Sequence, residues 1–119
     1  EPNEPYYWRR YAELNYFELG NIDEAEYGYR RAVQNGDYSY ATLIEWIDLM
    51  LLTEKYQDAL PIISDVVFIY PTELDNYYRI ALTYYGLGDE ANAEKYYQLG
   101  VAKAPQWQSF FESKFNFKM

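Results

Sequence analysis

The chain has 119 residues and a mass of 14.3 kDa; 50% of its residues are apolar and 21% aromatic, enough greasy surface to offset folding entropy, which excludes a disordered chain and suits one domain. Nineteen acidic against ten basic side chains leave a formal charge of −9, whose field repels phosphate backbones and anionic lipid, so neither nucleic acid nor membrane is expected as a partner. With no Cys and no His, disulfides, thiol nucleophiles, the commonest general base and the usual zinc ligands are all missing, and neither cofactor nor metal is expected.

The chain opens Glu1-Pro-Asn-Glu-Pro5, without a charged-then-apolar signal pattern or an initiator Met, and reads as a processed chain or a piece of something longer. No apolar run approaches the roughly 20 residues of a membrane-spanning helix, so a soluble protein is expected, and a cytoplasmic location is expected with it. Helices are predicted over 6–19, 40–53 and 74–87, each followed by a second, near 23–35, 57–69 and 90–103. In the third pair Tyr77, Ile80, Ala81 and Tyr84 recur three, four and seven apart, the stripe of an amphipathic helix. Asp23, three residues before Glu26, reads as a capping pair, and Gly20 and Gly88 supply the turns that end the preceding helices. Pro61 falls inside the fourth helix, which a later helix start would absorb. In the tail, Trp107, Phe110, Phe111 and Phe115 share one helical face opposite Gln108, Glu112 and Ser113. No stretch alternates as a strand does, so no sheet is expected.

The second helices repeat. "GNIDEAEYGYRRAV" from Gly20, "EKYQDALPIISDVV" from Glu54 and "GDEANAEKYYQLGV" from Gly88 are spaced by 34 residues and align without a gap, stacking Ala25, Ala59 and Ala93 in one column and Val33, Val67 and Val101 in another. The windows are 6–39, 40–73 and 74–107, with no linker between them.

These columns resemble the tetratricopeptide repeat, which carries a small residue in its second helix, an aromatic four further on and a terminal proline. Ala93, Tyr97 and Pro105 match it, as do Ala59 and Pro71 with Ile63 in the aromatic place, and Ala25, Tyr29 and Ala32 in the first window. Tyr16 and Tyr84 match the aromatic late in helix one, where the middle window has Met50. Arg9, Ala12 and Glu13 replace the Trp, Leu and Gly of the pattern, and Asp37 stands where proline is expected, so window one is either distorted or exposed differently as an end repeat. The resemblance implies an all-α, right-handed superhelical solenoid of three helix-turn-helix repeats plus a C-terminal capping helix over 107–117, the tail being alternatively the first helix of a truncated fourth repeat.

No catalytic constellation emerges, and no enzyme is expected. Asp23, Glu24 and Glu26, like Asp89 and Glu90, are acids in the first turn of a helix, where they favour the dipole and cap free N–H groups. Neither cluster has the spacing of a calcium loop, and the isolated glycines form no phosphate cradle. Tyr16, Tyr29, Tyr84 and Tyr97 fall on the packing stripe, whereas Tyr7, Tyr78 and Tyr85 are rotated off it.

The resemblance places a peptide-binding groove on the inner face of the first helices: Tyr7, Arg10, Leu14, Phe17 and Glu18, then Ala41, Ile44, Asp48, Leu51 and Leu52, then Asp75, Tyr78, Leu82, Tyr85 and Gly86. This apolar, mildly acidic surface suits an amphipathic segment with aliphatic anchors and some positive charge, unless its side chains pack on one another or on the tail. A subclass of the family grips chaperone C-terminal carboxylates with Lys, Asn, Asn, Lys and Arg; here those positions hold Arg10, Leu14, Glu45, Asp75 and Arg79, so that ligand is not expected. Leu60 and Phe68 point outward, as a second contact surface or a local irregularity. The expected function is a non-catalytic adaptor, the alternative a segment of a longer solenoid or a self-associating subunit.

Overall fold

A computed structural model of the chain describes residues 5–109 and 113. Among them are six α-helices and no strand: α1 (Pro5–Glu13), α2 (Ile22–Gln34), α3 (Tyr40–Leu52), α4 (Tyr56–Ile69), α5 (Asp75–Gly86) and α6 (Glu90–Lys103). A π-helical segment, Leu14–Glu18, continues α1, and a 3₁₀ turn, Pro105–Trp107, follows α6. With the π segment counted as part of the first, the predicted helices are found within a residue or two, and α2, α4 and α6 begin 34 residues apart. The π segment was not foreseen. The expected capping helix over 107–117 lies largely outside the described residues.

Local chemistry accounts for the helix boundaries. Gly20 (φ 65°) and Gly88 (φ 82°) adopt the left-handed conformation that lets the chain leave one helix and enter the next. Asn21 caps α2, its side chain accepting from the Glu24 N–H at 3.4 Å, and Ser39 caps α3 through the Thr42 N–H. Asp89 caps α6, accepting from the Asn92 N–H at 3.1 Å and from its side-chain amide at 2.7 Å; these bonds hold the Asp89 carboxyl below its ordinary range. The expected cap at Asp23 is therefore corrected: Asp23 lies inside the first turn of α2, and Asn21 does the capping. Asn21→Ala is expected to destabilise the protein by about 1 kcal/mol and Asp23→Ala by less than about 0.5, measured by urea denaturation.

The described residues form two compact units, divided between Thr53 and Glu54. In the first, α1 packs on α2 and α2 on α3 around Ala12, Ala25, Tyr29 and Leu49, flanked by Tyr16, Ile22 and Trp46. A Cβ at Gly28 would lie 2.9 Å from that of Ala12, so α1 and α2 approach more closely than a larger residue allows. In the second, α5 packs against α4 and α6, with Tyr78, Ala81, Ala93, Tyr97 and Ala104 at its centre. Tyr78 and Tyr97 meet edge to face at 5.9 Å. Pro61 does not delay α4: the helix starts at Tyr56 and runs through Pro61, leaving the Gln57 carbonyl without its i+4 backbone donor on an exposed side of the helix.

Candidate peptide-binding face

The α1 end of the first unit presents apolar side chains to solvent. Tyr7 is 36%, Leu14 45% and Phe17 64% exposed, and Arg10 and Glu18 are exposed beside them. Tyr7, Arg10, Tyr11 and Leu14 line a surface cavity of about 480 Å³. Its wall is built of packed aromatic rings: Tyr7 stacks along Tyr11 at 6.4 Å and meets Trp8 edge-on at 5.0 Å. The Tyr11 hydroxyl donates to the Glu24 carboxylate, which fixes the ring and raises the phenol's pKa.

Behind this face, polar groups tie three helices together. The Arg9 guanidinium contacts Glu13 and Glu45, each at 3.0 Å, and the Tyr29 hydroxyl donates to Glu45 at 2.9 Å. Burial and the neighbouring carboxylate push the Tyr29 phenol pKa up. Glu13 also titrates above the ordinary carboxylate value, first because burial penalises its charge and then because it faces Glu45, with Arg9 pulling the other way. A raised folded-state pKa contributes stability below the ordinary carboxylate range that is lost as pH rises through the folded value. Glu13→Gln is therefore expected to gain stability relative to the wild type as pH rises above the ordinary carboxylate range, read from urea midpoints at a series of pH values.

The remaining predicted groove residues divide. In the first unit Ile44 and Asp48 are half-buried and Leu51 is buried. In the second, Tyr85 is 50% exposed and Leu82 is half-buried against the core. Leu51, Tyr78 and Arg79 are corrected: at 8%, 0% and 6% exposed, none of the three lines an open groove. A Cβ at Gly100 would sit 2.9 Å from the Tyr78 ring, so the missing side chain on α6 makes the space that the tyrosine fills. Arg79 donates to the Asn76 side chain at 2.9 Å. Of the four tyrosines expected in the core, Tyr29 and Tyr97 are buried, while Tyr16 and Tyr84 pack at the edge of their clusters.

The acidic cluster has structural partners. Glu24 receives Tyr11, and Glu26 accepts from the Trp46 indole at 3.3 Å and pairs with Arg30 at 3.0 Å. No group of three potential metal ligands converges among the described residues. Asp37, at the site of the absent proline, is buried and accepts from the Ser39 N–H at 3.1 Å and the Thr42 hydroxyl at 2.8 Å, fastening the turn into α3. Sequence reasoning missed that role; the Asp-x-Ser spacing ahead of a helix was the available signal.

The helices, turns and cores describe an all-helical, tetratricopeptide-like repeat fold, and solved structures share it. The chain is similar to the solved structure of MamA 41-end from Desulfovibrio magneticus RS-1, with a TM-score of 0.79 and 19% identity over 96% of this chain and 67% of that one. It is similar also to the MamA RS-1 ArsTM double mutant, with a TM-score of 0.80 and 20% identity over 98% and 68%. At these identities the likeness shows the fold alone. No protein-family model and no curated protein matches the chain.

Proposed function

We propose that this chain is a non-catalytic scaffold that holds a protein or peptide segment against the exposed face of α1 and the π segment. The cavity bounded by Tyr7, Arg10, Tyr11 and Leu14, with Phe17 exposed beyond it, carries this reading. An exposed apolar cluster on a rigid helical support is a contact surface, and a helical-repeat fold is a common host for one. Glu18 and the chain's net charge of −9 favour an amphipathic segment with aliphatic anchors and some positive charge, and disfavour nucleic acid or an anionic membrane. No helix among the described residues is long and apolar enough to cross a membrane, and a cytoplasmic location is part of the proposal. A chaperone carboxylate is a poor occupant, because Arg79 is buried and Asp75 stands where a cation is needed. The three-repeat division at 6–39, 40–73 and 74–107 belongs to the same proposal, supported by the 34-residue spacing of α2, α4 and α6.

The double replacement Leu14→Ala with Phe17→Ala tests the face. Affinity for a lysine-rich synthetic helix with leucine anchors is expected to fall about tenfold or more, while the urea midpoint stays close to wild type because both side chains are exposed. Unchanged affinity in the folded variant would remove the assignment. The alternative, a self-associating chain or a segment of a longer solenoid, draws support from Phe68, 87% exposed, beside the exposed Ile69 at the end of α4. Light scattering decides it: a dimer lost in Phe68→Ser favours that reading, and a monomer at every concentration counts against self-association.

A further inference from the structure

The π segment is an irregularity with an identifiable cause. Asn15, only 5% exposed, donates its side-chain amide to the Tyr11 carbonyl at 2.9 Å, the acceptor that an α-helix reserves for the Asn15 N–H. From there the winding widens. The Leu19 N–H reaches back five residues to the Leu14 carbonyl at 3.1 Å, and the Asn21 N–H reaches six, to the Asn15 carbonyl at 2.7 Å. Asn15 is thus held from both sides, by its side chain to the turn before and by its carbonyl to the turn after.

The corresponding positions in the other first helices behave differently. Leu49 and Thr83, 34 and 68 residues further on, are buried in regular α-helix. Thr83 makes the same backward bond, its hydroxyl donating to the Arg79 carbonyl at 2.7 Å, yet α5 keeps its α winding there. The asparagine amide nitrogen stands one bond further from the backbone than the threonine hydroxyl. It therefore holds the chain further from the carbonyl it engages.

Winding sets direction. A π turn takes one more residue than an α turn, so side chains after it lag by up to one residue's rotation, about 100°. Leu14 opens the π segment at the cavity, while Phe17 near its end stacks on Tyr16 at 4.7 Å, and Tyr16 packs on the core. We infer that Asn15 is a positioning residue of this face: its buried amide holds residues 14–18 in the π turn that sets the angle between the cavity and Phe17, and so the anchor spacing a bound helix must have. This rests on the proposed scaffold function for its consequence, though the control of winding stands without it.

Asn15→Thr and Asn15→Leu reproduce what Thr83 and Leu49 do in regular helix, so at least one is expected to fold. In the wild type, through-hydrogen-bond NMR coupling should link the Leu19 amide to the Leu14 carbonyl; in the variants it should move to the carbonyl of residue 15. Two synthetic lysine-rich helices with leucine anchors at i, i+7 and at i, i+8 then read the face. The ratio of their affinities is expected to change at least about tenfold in a folded variant, a shift that lowered stability alone does not produce. Coupling that stays on Leu14 in both variants overturns the inference, as does a moved coupling with an unchanged ratio. If neither peptide binds the wild type, the scaffold reading fails at this face, and the coupling alone decides whether Asn15 controls the winding.

Discussion

Tyr78→Ala is expected to lower the unfolding free energy by about 3–5 kcal/mol, the cost of emptying a fully buried aromatic site in a core that cannot collapse around it. The ring lies against Gly100 and edge-on to Tyr97, so truncation leaves a void bounded by α5 and α6 and removes an aromatic pair. Against total stabilities of roughly 5–15 kcal/mol, the loss is a large fraction, and urea denaturation should show it as a shifted midpoint. Loss of partner binding in this variant would report a damaged core and not a removed contact. A loss below about 1 kcal/mol would contradict the burial.

Tyr29→Ala should cost a similar amount, about 3–5 kcal/mol, in the first unit. Tyr29 is fully buried among Ala12, Ala25 and Leu49, and it also supplies the hydroxyl that meets Glu45. The two contributions separate. Tyr29→Phe keeps the packing and deletes the hydrogen bond, and since Arg9 still engages Glu45 its expected cost is only about 0.5–1.5 kcal/mol. Equal losses in the two variants would mean that the hydrogen bond, and not the packing, dominates at this site.

The hairpin arrangement was legible in the sequence because it rests on spacing: alanines 34 residues apart, glycines at the helix joints and amphipathic stripes between them. The inner-face assignment was only half legible. Helical rotation places Tyr78 off the packing stripe of α5, but rotation does not reveal what stands opposite. Gly100 shares its repeat column with Ala32 and Val66, and that gap draws Tyr78 into the core. The capping of α2 by Asn21 in place of Asp23 turned on a shift of two residues, which dipeptide preferences do not resolve. The π turn was invisible for a related reason: near a helix end, apolar periodicity does not distinguish bonds to i+4 from bonds to i+5. A buried asparagine between two apolar turns was the trace it left.

The proposed contact face lies on α1 and the π segment, among Tyr7, Arg10, Leu14 and Phe17. A photoreactive benzoylphenylalanine introduced singly at position 14, 17 or 68 in the cell of origin tests that placement most directly. One and the same protein is expected to be captured from positions 14 and 17 and not from position 68. Capture from position 68 alone, or none from 14 and 17 in folded protein, would contradict it.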